Sequence, residues 1–162
     1  MSESWVINAS PIILLSKAEV IHLLPRLCEE LVIPAGVVEE VAIGQRGDAG
    51  RAWLAKEGAH FVRPAPPLGH ELRTADLGRG EAEVISWALL HRGFKTLLDD
   101  RQGRIWAKRL NVPLLGSLGV VVLLKQRGLI PNAALALQKI CAAGGYVSAA
   151  ALHAALQQAG ER

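Results

Sequence analysis

Short apolar runs alternate with longer stretches of helical spacing along the 162-residue chain. Residues 5–7 form a brief apolar run that ends at Asn8 and predicts a buried strand. Ser10 before Pro11 predicts a helix start, a hydroxyl cap followed by proline at the first helical position. Apolar residues 12–15 carry that helix to about Ala18, and a second helix is expected from Glu19 to about Leu24, where Pro25 disturbs it. Residues 31–33 predict the second strand. Pro34 then opens a helix through Val37, Val38 and Val41, whose spacing buries one face.

The middle of the chain is more broken. Residues 44–50, rich in Gly, Arg and Asp, predict an exposed loop, followed by a short helix at 51–56 and a short strand at 61–62. The proline-rich segment 64–69 reads as a linker within the domain. Thr74 or Asp76 is the expected cap of a helix over about 80–91, which Gly93 stops. A strand at 96–98 ends in Asp99 and Asp100 and gives way to a helix over 101–110. A strand at 113–115 precedes a helix capped by Ser117 and ended by Gly128. Two Ala-rich helices, 132–143 and 148–159, separated by Gly144 and Gly145, complete the chain.

Strands alternating with helices imply parallel pairing with helices on both faces, an α/β fold. The expected organisation is a main domain over 1–130 with a helical extension, 131–162, packed on it. Parallel sheets bind ligands beyond the carboxyl ends of their strands. Asn8 ends the first strand and Asp99 with Asp100 ends a later one. If those strands are neighbours, they meet at one edge, where Glu40 and Glu81 can join them from adjacent helices. Such an oxygen-rich pocket suits a hard divalent cation, magnesium above all, which can neutralise charge on a phosphodiester. Each acid also has a plainer explanation. Glu81 favours the first turn of its helix through the dipole, Asp100 is a possible helix cap, and Glu40 resembles its solvated neighbour Glu39. Adjacent carboxylates such as Asp99 and Asp100 repel one another unless a cation answers them, and Arg101 and Arg104 stand close in sequence.

Composition narrows the choices. Hydrophobic residues make up 51% of the chain, which excludes disorder, and only 4% are aromatic, so the core is built from Leu, Val, Ile and Ala. The net charge of +3 is compatible with nucleic acid without requiring it. Cys28 and Cys141 form no CxxC pair, so zinc-finger and disulfide-scaffold readings lack support, and both are expected to be buried or half-buried thiols. The five histidines show no HExxH spacing. Phosphate loops of the GxGxxG or GxxxxGK[ST] type and the GxSxG elbow are absent as well. Trp87 and Trp106 fall on expected helices and are placed against the sheet. The start, MSESWVINASP, predicts no signal peptide, and the apolar run 120–124 is too short for a bilayer, so a cytoplasmic protein is expected.

The segments VINASPII, IPAGVVEEV, GRGEAEVISWAL, TLLDDRQGR and LLGSLGVVVLLKQRGLI, in that order, resemble the PIN-domain family over about residues 5–130. The likeness is greatest to the predicted nucleic-acid-binding subfamily whose first strand ends in Asp/Asn-Ala-Ser-Pro. The resemblance implies a three-layer α/β/α sandwich around a parallel sheet, as PIN domains have. It implies a magnesium- or manganese-dependent ribonuclease acting on single-stranded RNA, many relatives being toxins of VapBC-type pairs restrained by a small antitoxin. It also implies site roles: Asn8, Glu40, Glu81 and Asp100 as catalytic positions, these four with Asp99 as metal ligands, and Ser10, Arg101 and Arg104 at the substrate, with Lys108 and Arg109 guiding the backbone. Glu83, on another helical face from Glu81, is secondary. The chain departs from the family at Asn8, where many active members carry an acid. An amide oxygen can ligate but brings no charge, so the alternative is a PIN module that binds RNA or a protein without cutting. An unrelated small α/β enzyme with a chance acidic edge is the third possibility. The apolar residues 12–15 and the C-terminal helices predict a homodimer.

Overall fold

The computed structural model describes residues 3–44, 48–144 and 147–161. Its frame is a three-layer α/β/α sandwich around a five-stranded, all-parallel sheet. The strands are β1 (Ser4–Ile7), β2 (Glu30–Pro34), β3 (Val62–Arg63), β4 (Phe94–Leu97) and β5 (Leu114–Leu115), in the order β3-β2-β1-β4-β5. β1 is central and fully apolar inside: Trp5, Val6 and Ile7 are wholly buried, as a strand covered on both faces requires. Val6 pairs with Val32 on one side and with Thr96 on the other. Ile7 pairs with Leu97, so β1 and β4 end side by side, and the amide of Asn8 donates to the Leu97 carbonyl at 3.1 Å. That junction, where the chain's strand order reverses, is where an open α/β sheet leaves a crevice.

Nine α-helices lie among the described residues: α1 (Ala9–Lys17), α2 (Ala35–Ile43), α3 (Asp48–Ala55), α4 (His70–Thr74), α5 (Arg79–Leu90), α6 (Arg101–Arg109), α7 (Ser117–Gln126), α8 (Ala134–Ala142) and α9 (Ala149–Gln158). Several differ from the sequence-based expectation for identifiable reasons. α1 starts at Ala9, with Asn8 at its cap position, so Pro11 is the third helical residue and Ser10 lies inside the first turn. Proline is tolerated there because the first-turn amides have no helical partner. The element around Pro25 is a 3₁₀ helix, Ile21–Arg26, with the proline inside it. α3 begins within the stretch expected to be loop, because Gly50 packs against Ile12 of α1 and a Cβ there would touch Ile12 at 3.4 Å. Residues 45–47 of that stretch, and Gly145 of the later break, fall outside the described residues. Gly78 rather than Thr74 or Asp76 precedes α5, and Gly116 rather than Ser117 precedes α7, leaving the Ser117 hydroxyl for another use.

The C-terminal helices share the main core. Ala133, Ala136, Leu137, Ile140, Ala155 and Ala159 are buried in the same cluster as the sheet, with α8 against α1 and α9 against α7. Glu161 takes the amides of Ala133 (2.6 Å) and Ala134 (3.0 Å), tying the chain's end to the start of α8. Residues 12–15 do not present the apolar surface expected for a dimer: Ile12, Leu14 and Leu15 are buried within the single chain beneath α3, α7 and α8, and Ile13 lines the cleft described below. Cys28 is half-buried, its thiol pushed up to about 12 chiefly by burial, but Cys141 is exposed on the outer face of α8. Trp5 and Trp53 are core residues, whereas Trp87 and Trp106 are half-buried. Trp87 stacks on His91 at 4.2 Å and Trp106 lies under Arg109 at 4.9 Å. None of the described helices is long and apolar enough to cross a membrane.

Candidate active site

A cleft of about 1020 Å³ opens beyond the carboxyl ends of β1, β4 and β5. Asn8, Ser10, Glu40, Glu81, Asp99, Asp100, Arg101 and Arg104 all line it, whereas Lys108 and Arg109, expected to guide the backbone, do not, and Arg109 instead lies over the Trp106 ring. The other wall comes from α7, α8 and the start of α9, with Ile140, Val147 and Ser148, residues that sequence reasoning did not connect with the site.

Asn8 is 3% exposed, and its Oδ1 makes no hydrogen bond. An asparagine before a helix ordinarily gives this oxygen to the second or third helical amide. Here the third residue is Pro11, which has no N–H, and no side-chain cap forms. The Asn-Ala-Ser-Pro order thus releases a buried acceptor. An unpaired buried amide oxygen is costly, of the order of 1–3 kcal/mol.

The acids differ in how they are held. Asp100 caps α6, its Oδ2 accepting the amides of Gln102 (3.1 Å) and Gly103 (3.3 Å), so the cap role and the site role coexist in one side chain. Asp99 is pinned by Ser117, whose amide donates to Oδ1 at 2.7 Å and whose hydroxyl donates to Oδ2 at 2.6 Å. Burial still raises the Asp99 carboxyl, against the lowering effect of those bonds and of Arg104. Glu40, on α2, accepts the Gly80 amide at the start of α5 at 2.7 Å. Glu81 is pushed up to about 7, by burial first, then by the Asp100 carboxylate beside it, then by the charge of Glu40. Protonated, it can donate to Asp100. Ionised, it leaves Oε2 buried without a partner.

Glycines make this convergence sterically possible. A Cβ on Gly78 would lie 3.2 Å from Glu81 Oε1 and 3.3 Å from Glu40 Oε1, so both carboxylates meet over that residue. A Cβ on Gly103 would sit 2.6 Å from Glu81 Oε2. The GRGE and DDRQGR segments carried this signal, since their glycines flank the acids in sequence. Gly103→Ala, in the first turn of α6, is expected to cost little thermal stability, because the atom its Cβ meets most closely is the far end of the Glu81 side chain. It should nonetheless displace Glu81 and lower divalent-metal affinity about tenfold or more, as calorimetry with manganese would show.

The two arginines are placed differently. Arg101 is exposed at the rim, while Arg104 donates to the Leu98 carbonyl at 3.1 Å and braces the strand end. Glu83 is apart from the cleft, buried, and engaged with Gly36 and Arg79. Among the described residues, no three His, Cys, Asp or Glu side chains are arranged as a formed metal-binding group. The donor set nevertheless fits a hard divalent cation in kind: all oxygen, with two buried acceptors, Asn8 Oδ1 and Glu81 Oε2, lacking any partner.

The same acids give the metal-free chain a pH dependence. Folded Glu81 keeps its proton over a range in which the unfolded chain has lost it, so its contribution to stability is most favourable below the ordinary glutamate range and falls as pH rises to about 7. Asp99, also raised by burial, adds to the fall in the same direction. Melting in chelator between pH 5 and 8 should show it, and Glu81→Gln should flatten it.

A parallel sandwich with acids gathered at the switch point of its sheet defines the class as an α/β protein whose candidate site lies where open sheets of this kind bind their ligands. The chain belongs to the PIN domain family, whose model matches residues 4–161, past the segment 5–130 that carried the resemblance in sequence. Among curated proteins, none is significantly similar in sequence. Family membership gives a nuclease-type function, and PIN nucleases in general use divalent metals.

Proposed function

We propose that this protein is a metal-dependent endoribonuclease that cleaves phosphodiesters of single-stranded RNA, the toxin member of a cytoplasmic toxin–antitoxin pair with a small protein as its antitoxin. The observation that carries the site reading is the meeting of Glu40, Glu81 and Asp100 beside the unpartnered Oδ1 of Asn8 at one sheet edge. Asn8, Glu40, Glu81, Asp99 and Asp100 are the residues that would hold magnesium or manganese. A bound ion supplies Lewis acidity and charge neutralisation at the scissile phosphate. Asn8 would offer a neutral oxygen and Glu40, Glu81 and Asp100 carboxylate charge, Asn8 Oδ1 and Glu81 Oε2 being the oxygens that lack a donor within the chain. Asp99 would hold the ion only by sharing an oxygen with Ser117, which occupies both of them, so it is the outermost member of the set. The Ser10 hydroxyl lies on the cleft wall, where it can position water or a ribose oxygen. Arg101 at the rim attracts the backbone, and Arg104 adds positive charge inside.

One observation favours a second reading, a PIN module that binds without cutting. Asp99, Asp100 and Glu40 all have internal donors, so the fold needs no cation to satisfy them, and Asn8 adds no charge. Incubating wild-type protein with labelled single-stranded RNA in magnesium, in manganese and in chelator separates the two. Metal-dependent fragments support the nuclease. Retention of intact RNA in all three, with binding, supports the module.

A further inference from the structure

The N-termini of α2 and α5 cap one another. Gly36 is the second residue of α2, and its amide donates to Glu83 Oε1 on α5 at 2.9 Å. Gly80 is the second residue of α5, and its amide donates to Glu40 Oε1 on α2 at 2.7 Å. Each helix thus supplies the carboxylate that the other's unpaired first-turn amide lacks, and each carboxylate stands at the positive end of the partner's dipole. Both second positions are glycine because the fit leaves no room. A Cβ on Gly36 would lie 2.5 Å from Glu83 Oε2, and one on Gly80 would lie 2.8 Å from Glu40 Oε2.

Glu83 is 2% exposed, and a carboxylate at that depth needs pairing. Arg79 provides it from one turn earlier, Nε to Glu83 Oε2 at 2.8 Å, and its other arm reaches Glu39 Oε2 on α2 at 2.7 Å. Arg79 therefore spans both helices on the side away from the cleft. Glu39 and Glu40 are consecutive, so α2 is held to α5 through one glutamate on the outside and the next on the inside. The two residues sequence reasoning set aside, Glu39 and Glu83, are the outer half of the arrangement that seats Glu40 and Glu81.

We propose that Glu83, backed by Arg79, is a positioning residue for the acidic site. By capping α2 while Glu40 caps α5, it sets the spacing at which Glu40 and Glu81 face the cleft. The role in turnover rests on the nuclease reading above, but the clamp itself does not. Removing Glu83 outright strands the Gly36 amide and risks the fold, so the informative variants are Glu83→Gln, Arg79→Met and Arg79→Lys.

The test combines native-state hydrogen exchange of the Gly80 amide with steady-state RNA cleavage in manganese. Arg79→Met and Glu83→Gln should each accelerate Gly80 exchange and lower kcat about tenfold or more, the usual size of an outer-sphere loss, at unchanged KM. Arg79→Lys should recover part of both, because one ammonium keeps the charge beside Glu83 but lacks the second nitrogen that reaches Glu39. A rise in KM with kcat intact would instead make Arg79 a phosphate contact and overturn the proposal. Unchanged Gly80 exchange in Arg79→Met and Glu83→Gln would overturn it too, whether or not the wild type cuts RNA. If wild type fails to cut while the variants still loosen Gly80, the nuclease reading falls and the clamp stands.

Discussion

Asn8→Asp is expected to bind manganese at least about tenfold more tightly than the wild type and, without metal, to be less stable by roughly 3 kcal/mol. Both effects come from one place. Residue 8 is 3% exposed beside a cluster that already holds Glu81 partly protonated. A carboxylate there joins Glu40, Glu81, Asp99 and Asp100 at the cleft, Pro11 removes one of the two first-turn amides that could donate to it, and the neighbouring acids repel it. A divalent cation reverses the balance by answering all of them at once. The measurement pairs calorimetry with thermal melting in chelator and in manganese. A variant melting below wild type without metal and at or above it with metal is the expected crossing. Unchanged manganese affinity would remove Asn8 from the site.

Asp100→Asn separates the two roles of a single side chain. Asparagine caps a helix about as well as aspartate, so the bonds to Gln102 and Gly103 can survive and the melting temperature should move by only a few degrees. The charge that faces Glu81 is lost, and metal-dependent cleavage should drop about a hundredfold or more, the scale of one lost electrostatic contact at the reacting centre. The outcome contrary to the site is equal cleavage by wild type and Asp100→Asn prepared in parallel. Asp100→Ala is the less informative change, because it removes the cap as well.

Most of the frame was legible because it rests on period and punctuation. The apolar run of β1, the Ile-Pro junction into α2 and the strand before Asp99 each carry a local signal, and parallel pairing follows from their alternation with helices. Neighbouring β1 and β4 then bring Asn8 to Asp99 and Asp100, as the expected edge required. What escaped depends on contacts distant in sequence. Ser117 looked like a helix cap, yet its hydroxyl and amide are spent on Asp99, 18 residues earlier. Glu83 looked redundant beside Glu81 because its partner, the Gly36 amide, is 47 residues away. The first turn of α3 fell in the expected loop, because Gly50 serves packing against Ile12 rather than a turn, while the rest of that helix was expected. Residues 12–15 looked like spare apolar surface because the helices that cover them, α3, α7 and α8, arrive later in the chain.

The glycines teach the same point from the other side. Gly36, Gly78, Gly80 and Gly103 lie in or beside helices, where glycine is ordinarily unfavourable by about 1 kcal/mol against alanine. Each stands against a glutamate oxygen. A glycine in a helical first turn, paired with an acid on a different helix, marks close approach rather than flexibility.

Titrating manganese into isotopically labelled wild-type protein and following its paramagnetic broadening of backbone amides tests most directly whether the acidic edge is the metal site. Broadening should begin at Asn8, Ser10, Gly78, Gly80, Glu81 and Asp100, around the converging carboxylates, before it reaches any other part of the fold. Broadening that starts elsewhere, or that never exceeds a weak effect spread over all exposed acids, would contradict the account.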